Sequence, residues 1–153
     1  MQKVAIIYVD FDNTLYCHDK VLSSRFPVDL DKLTPKYLDK NLINKLYKIK
    51  ENNAKRNIKT YIALLSTSAT DRLFREQIDL INQNYENLLD LYFHADNQNY
   101  KIAKMLEFNN RAVDNIINTL LIDDSLYVID MARDAGYDAV TPGYFDKQYR
   151  VLY

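Results

Sequence analysis

The sequence has little of what would place it in several large classes of protein. Its 153 residues contain one cysteine, Cys17, so no disulfide can form within the chain, which agrees with a reducing compartment. The early apolar stretch at residues 4–9 is far shorter than the ~20 residues of a membrane-spanning helix, and it lacks a signal-peptide cleavage pattern. A net charge of −1 gives no overall attraction to nucleic acid or to an anionic membrane. We therefore expect a cytoplasmic protein without a membrane partner.

The composition is that of a globular domain. Hydrophobic residues make up 48% of the chain and charged residues 27%, a balance that fits neither disorder nor a coiled coil. A chain of this length has room for one domain with a proper core and not for two. We expect a single domain over residues 1–153.

Short apolar runs alternate with stretches of helical spacing. Five strands are predicted at residues 4–9, 61–66, 88–93, 118–122 and 137–140. Helices are predicted from 38 to 49, from 68 to 81, from Lys101 onward, and from 125 to 135, where Gly136 would follow the helix end. The alternation predicts a three-layer α/β/α fold with a doubly wound parallel sheet. Residues 16–35, which include Pro27 and Pro35, predict an irregular flap.

Two aspartates stand directly after the first apolar run. In Asp10-Phe11-Asp12-Asn13-Thr14 the carboxylates alternate with Phe11, so both can face one side of the strand end. Open α/β sheets bind ligands outside the carboxyl ends of their strands. Two close carboxylates repel each other unless a cation lies between them, and their hard oxygen atoms suit Mg²⁺. One can then serve as a nucleophile and the other as a proton-transfer group.

A second acidic pair, Asp123-Asp124, follows the apolar run at 118–122. In a parallel sheet both acidic strand ends lie on the same edge, so the two pairs are expected to meet there. Each pair also has a structural interpretation as a helix-capping turn, because aspartate favours that position. Two acidic pairs in matching contexts favour a functional site.

Four motifs in this order resemble the haloacid dehalogenase (HAD) superfamily of phosphotransferases. Its first motif, DxDxT at a strand end, matches Asp10 to Thr14, and its fourth, an acidic pair, matches Asp123-Asp124. The second motif, a strand that closes on serine or threonine, resembles the run ending at Ser66. The resemblance covers residues 4 to about 140, nearly the whole chain.

The third motif is a lysine, for which the chain offers two candidates. Lys101 stands 22 residues before Asp123, an interval like that in compact members of the superfamily. Lys104 is the competing choice, and the sequence does not exclude it. The resemblance also implies a strand order in which the Asp10 strand lies between the Ser66 and Asp123 strands.

The resemblance implies a role for each motif residue. Asp10 would attack the phosphorus atom, and Asp12 would protonate the leaving oxygen and later take a proton from water. Thr14 would hold Asp12 in position. The Ser66 hydroxyl and Lys101 would hold phosphoryl oxygens.

A magnesium ion is also implied. Asp10, the main-chain carbonyl of Asp12, and Asp124 would bind it, and Asp123 would act through water or orient the groups around the ion. The function that follows is a Mg²⁺-dependent phosphatase that hydrolyses a phosphate monoester through an aspartyl phosphate. A proton donor such as Asp12 favours hydrolysis over dehalogenation, because a halide leaving group needs no proton.

Neither interval between motifs has room for a large cap domain. The resemblance to capless members implies a macromolecular substrate, such as a phosphoprotein or a nucleic-acid end, or a site closed by oligomerisation. Residues 36–59 hold eight Lys/Arg and two acidic residues, a local charge of +6. This stretch is either a surface that contacts a phosphate backbone or the solvated face of a helix. A polynucleotide 3′-phosphatase therefore stays open as a minor alternative.

Two other classes of protein compete with the enzyme. A receiver-type signalling domain also places strand-end aspartates and a lysine around Mg²⁺, but there the acidic pair comes first in the chain and the lysine last. A catalytically silent phosphate-binding module is the second alternative. Cys17, His18 and His94 are interpreted as residues without a catalytic role, and the flap side chains, including Tyr16, as substrate contacts.

Overall fold

Five parallel strands form one sheet within the residues that the structure describes. The computed structural model describes residues 2–17, 33–111 and 114–147, without the side chains of residues 146 and 147. The strands are β1 (Lys3–Val9), β2 (Ile58–Ser66), β3 (Leu91–His94), β4 (Ile116–Ile122) and β5 (Asp138–Val140). Their order is β3-β2-β1-β4-β5, and every neighbouring pair is parallel. The predicted sheet is confirmed, with β1 at its centre between β2 and β4.

Helices cover both faces of this sheet. They are α1 (Lys40–Lys55), α2 (Asp71–Asn84), α3 (Lys101–Arg111), α4 (Leu126–Asp134) and α5 (Pro142–Lys147), with short 3-10 helices at Pro35–Tyr37 and Gln98–Tyr100. One buried apolar cluster joins α1, α2 and α5 to one face, and a second joins α3 and α4 to the other. The three-layer architecture is confirmed. None of the described helices combines the length and apolar character that crossing a membrane requires.

Capping residues decide where the helices begin. Asp39, Thr70 and Ser125 each precede a helix, and the side chain of each accepts a hydrogen bond from a backbone N–H of the first turn. The first two helices therefore start two or three residues later than the apolar spacing predicts. Gly136 follows the end of α4 with a φ of 91°, a left-handed conformation that favours glycine.

The third strand also starts later than predicted. Asp90 bonds to Ile62 of β2 through its backbone N–H and its side-chain carboxylate, and not through regular backbone pairing. Its backbone N–H donates to the carbonyl of Ile62 at 2.8 Å, and its carboxylate accepts from the N–H of Ile62 at 2.9 Å. Leu88 and Leu89 are buried but precede the regular pairing. A helix that the sequence did not predict, α5, begins at Pro142, which is well suited to the first helical position.

The predicted flap lies largely outside the described residues, which omit 18–32. Tyr16, which was expected at the start of the flap as a substrate contact, is instead a core residue with 3% exposure. Its ring stacks on that of Phe11, with 5.2 Å between the centroids, and its hydroxyl accepts from the N–H of Thr34 at 3.2 Å. The described residues contain no cap domain between the strands.

The outer edge of β5 is covered by a side chain. The guanidinium group of Arg133, near the end of α4, donates to the carbonyl oxygen of Ala139 from Nε at 3.1 Å and from Nη2 at 2.8 Å. The last strand of the sheet therefore has a carbonyl group that is already bonded on its outer side.

Candidate active site

The end of β1 is fixed at the carboxyl edge of the sheet by β4. The backbone N–H of Asp10 donates to the carbonyl of Ile122 at 3.0 Å, which extends the strand pairing by one residue. The chain then turns back through Asn13, whose φ of 57° is a left-handed conformation that asparagine tolerates better than most residues. This turn brings the hydroxyl of Thr14 to Asp10 Oδ2, to which it donates at 3.4 Å.

Lys101 places a buried cation between two of the predicted acidic residues. It is the first residue of α3, and it is 1% exposed. Its ammonium group donates to Asp10 Oδ1 at 2.8 Å and to Asp123 Oδ2 at 2.7 Å. Lys104, the competing candidate, lines a separate surface cavity. The geometry therefore favours Lys101 as the lysine of this site.

The second acidic pair divides into a buried and an exposed carboxylate. Asp123 is 1% exposed, and its oxygens accept from Lys101 and, at 2.9 Å, from the N–H of Ser125. Asp124 is exposed. One oxygen from each of Asp10, Asp123 and Asp124 lies within 4.8 Å of the other two. These three residues, which we call the acidic cluster, bring together carboxylates that can hold a metal ion.

Burial sets the electrostatics of the cluster. It raises the pKa of Asp10 well above the usual value, while Lys101 opposes this shift and Asp123 reinforces it. Burial also raises the pKa of Asp123, again against the effect of Lys101. Burial alone would lower the pKa of Lys101, but the two carboxylates outweigh it, so this pKa is raised. The lysine therefore stays charged, and its charge favours the ionised forms of both buried aspartates.

Ser66 is held by residues other than the acidic cluster. The strand register places it at the same edge as Asp10, on the neighbouring strand β2. Its carbonyl accepts from the N–H of Ala95 at 2.9 Å, and its hydroxyl donates to Gln77 Oε1 at 2.8 Å. Among the described hydrogen bonds it has none to Asp10 or Lys101, and its role in binding phosphate stays a prediction.

Gln77 is a buried hydrogen-bond partner of Ser66 that the sequence analysis missed. It lies three residues after Phe74 and four before Ile81, on the face of α2 that packs against the sheet, and it is 1% exposed. An amide at an apolar position of a helix is the signal that could have identified it. Such a residue is buried only with a hydrogen-bond partner.

Asp12 lies in the turn after β1, half-buried, where it pairs with Tyr16 in an isolated bridge. Its part in proton transfer and the role of its carbonyl in binding metal stay predictions. Thr14 was expected to orient Asp12, whereas its described hydrogen bond goes to Asp10.

His94 fastens the loop between β2 and α2. Its Nε2 lies 2.7 Å from the carbonyl oxygen of Ser68, its Nδ1 lies 3.2 Å from a carboxylate oxygen of Asp71, and its ring stacks on Phe74. His94, at the end of β3, is therefore half-buried and hydrogen-bonded. Cys17 is partly exposed, and His18 lies outside the described residues.

The fold and the site together define a class. A five-stranded parallel sheet has β1 at its centre, and at its carboxyl edge residues of the first, third and fourth motifs meet: Asp10, Lys101 and Asp123-Asp124. This is the arrangement that the motif resemblance implied. The sheet order, with β1 between β2 and β4, also agrees with the order that the motif resemblance implied.

No family model and no curated protein matches the sequence. Among solved structures, the HAD domain of effector protein Lem4 from Legionella pneumophila aligns with 97% of this chain and 91% of its own, at 15% identity and a TM-score of 0.48. An inactive mutant of that domain aligns with 98% of this chain and 90% of its own, at 13% identity and a TM-score of 0.46.

Proposed function

We propose that this protein is a Mg²⁺-dependent phosphatase that hydrolyses a phosphate monoester through an aspartyl phosphate on Asp10. The observation that carries the proposal is a buried lysine in contact with two buried carboxylates at the carboxyl edge of the central strands. Burying such charges costs several kcal/mol per ion, so it is a poor device for stability alone. Perturbed ionisable groups clustered at strand ends are typical of functional sites.

The acidic cluster fits a magnesium ion. Its oxygens lie within 4.8 Å of one another, a little more than the roughly 4.2 Å between ligands on opposite sides of Mg²⁺, and hard carboxylate oxygens are its preferred ligands. As the motif resemblance implies, Asp10, Asp124 and the carbonyl of Asp12 would hold the ion, while Asp123, which accepts from the backbone N–H of Ser125, would orient the site. When bound, the ion would neutralise charge on the phosphoryl group that Asp10 attacks.

The protein's own side chains account for two successive displacements. A carboxylate oxygen of Asp10 attacks phosphorus in line, the bond from phosphorus to the leaving oxygen breaks, and Asp12 donates a proton to that oxygen. Water then attacks phosphorus, Asp12 takes its proton, and the bond to Asp10 breaks to release inorganic phosphate. Lys101 favours the ionised form of Asp10 by keeping a positive charge beside it. Ser66 would donate to a phosphoryl oxygen.

The substrate is proposed to be a phosphorylated macromolecule, either a phosphoprotein or a nucleic-acid end. The described residues contain no cap domain, so a small leaving group would find few remote contacts among them from which to draw binding energy, whereas a large partner supplies such contacts from its own surface. The basic segment 36–59 is the part of the chain suited to a nucleic acid, but Lys50 is already used within the fold. Its ammonium group lies 2.7 Å from Asp90 and donates to the carbonyl of Asn87 at 2.9 Å.

Hydrolysis of p-nitrophenyl phosphate with and without Mg²⁺ tests the proposal. We expect Mg²⁺-dependent turnover that Asp10→Asn abolishes, because the amide is nearly isosteric but cannot form the acyl phosphate. Asp130→Asn, at an exposed aspartate of α4, is the matched control and should keep wild-type activity. Activity of Asp10→Asn within about tenfold of wild type, or about 1.4 kcal/mol in activation free energy, would contradict the mechanism. A wild type without turnover would favour a receiver-type or silent phosphate-binding module.

A further inference from the structure

Helix α2 carries a buried amide on the face that packs against the sheet. Gln77 is 1% exposed, although its neighbours on this face, Phe74 and Ile81, belong to the apolar cluster. Burying an amide costs free energy unless it is hydrogen-bonded, so an apolar side chain would be the simpler choice at this position. The partner of this amide is the hydroxyl group of Ser66, at 2.8 Å.

The backbone around Ser66 is held independently of Gln77. The Ser66 carbonyl accepts from the N–H of Ala95 at 2.9 Å. The loop that follows is fastened where His94 Nε2 lies 2.7 Å from the carbonyl oxygen of Ser68. With the backbone fixed on both sides, the remaining freedom of Ser66 is the torsion of its side chain. The hydrogen bond to Gln77 Oε1 restrains this torsion.

An amide can serve the serine hydroxyl in two ways. A hydroxyl has one proton and two lone pairs, and in the described arrangement Ser66 gives its proton to Gln77 Oε1. A half-turn of the amide exchanges its oxygen and nitrogen, so that Nε2 donates to Ser66 Oγ and the serine proton is free for a phosphoryl oxygen.

We propose that Gln77 is a positioning residue that holds Ser66 Oγ at the phosphoryl-binding edge and exchanges these two arrangements when the phosphoryl group binds. The inference rests on the proposed function, because Ser66 is a phosphate ligand only there. The proposal adds a residue of α2 to a site otherwise formed by strand ends and Lys101. It also explains why this buried position holds a polar amide.

A double-mutant cycle with Gln77→Met and Ser66→Ala tests this proposal. Methionine nearly conserves the volume and suits the apolar surroundings, so the fold is kept. We expect Gln77→Met to raise the KM for p-nitrophenyl phosphate and the inhibition constant of inorganic phosphate about tenfold. The value of kcat should stay within about threefold, because a contact to a non-bridging oxygen acts in the ground and transition states alike.

The second half of the cycle separates positioning from packing. In the Ser66→Ala background, Gln77→Met should change either constant by less than about twofold, because the group that Gln77 positions is gone. Gln83→Met, at an exposed glutamine of the same helix, is the matched control and should match wild type. Equal effects of Gln77→Met in both backgrounds, or no effect of either single substitution on phosphate binding, would overturn the proposal. Gln77→Leu is scored in the same way if the methionine variant does not fold.

Binding of inorganic phosphate is also measured by thermal shift in the presence of Mg²⁺, which does not depend on turnover. A wild type that binds phosphate without hydrolysing p-nitrophenyl phosphate would refute the phosphatase, while the same cycle of substitutions still decides the role of Gln77. A wild type that neither binds nor hydrolyses would refute both.

Discussion

Replacing Lys101 with methionine removes the cation between Asp10 and Asp123 while keeping most of the side-chain volume. Lys101 is 1% exposed and the two aspartates are 5% and 1% exposed, so water solvates their charges only poorly. Removing one partner of a buried ion pair costs about 3–5 kcal/mol, and two stranded carboxylates favour the upper half of that range. For a chain of this length each kcal/mol lowers the Tm by about 2–4 °C, so we expect a fall of roughly 8–20 °C.

Thermal unfolding followed by far-ultraviolet circular dichroism measures this change, since the chain has no tryptophan to report by fluorescence. The buffer contains a chelator, so that no metal ion replaces the missing charge. Lys104→Met is the matched control, because Lys104 lies one turn further along α3 and is only partly buried. Its Tm should change by no more than about 2 °C, as is usual for substitutions outside the core.

The stability loss of Lys101→Met should also depend on pH in a definite direction. Burial raises the pKa of Asp10 and of Asp123, and the opposing effect of Lys101 is lost in the variant. When the pKa of a carboxyl group is higher in the folded than in the unfolded state, the protein loses stability as the pH rises from about 4 through the folded-state pKa. The deficit of Lys101→Met should therefore shrink between about pH 8 and pH 5. A deficit under about 1 kcal/mol at the higher pH, or one that is equal at both, would refute the idea that Lys101 compensates the buried charges.

Two further substitutions test other parts of the structure. Asp124→Ala should raise the Mg²⁺ concentration needed for half-maximal activity by about tenfold or more. The increase should exceed that of Asp123→Ala, because Asp123 is already bonded to Lys101 and Ser125. A larger increase for Asp123→Ala would mean that the ligands are misassigned. Gly136→Ala should lower the free energy of unfolding by about 1 kcal/mol. Beyond the adjoining residues no heavy atom lies within 4 Å of the added Cβ, so the cost comes from the φ of 91° alone. Urea midpoints equal to wild type would exclude that strain.

Local patterns predicted the elements that position the site. Apolar runs end where Asp10 and Asp123 begin, and in a parallel sheet this alone brings the two residues to one edge. The choice between Lys101 and Lys104 lay beyond the sequence, because both stand in the first turns of one helix. The contacts that favour Lys101 span 91 and 22 residues of chain, from Lys101 to Asp10 and to Asp123.

Other features could not be predicted because they depend on side-chain contacts that local sequence patterns do not show. The carboxylate of Asp90 accepts from the backbone N–H of Ile62 where regular backbone pairing was predicted, so β3 begins later in the chain. Tyr16 was assigned to a surface flap because prolines follow it, but its ring stacks on Phe11 in the core. The bond between Ser66 and Gln77 depends on how α2 is rotated against the sheet, which hydrophobic spacing does not specify for a polar residue.

The guanidinium cover on β5 has a consequence for how this protein meets other chains. A strand that extends a sheet must bond to the free carbonyl and N–H groups of the edge, and exposed edges of this kind promote aggregation. At β5 the edge is three residues long, and Arg133 already occupies the carbonyl of Ala139. Growth of the sheet on that side would require this side chain to leave.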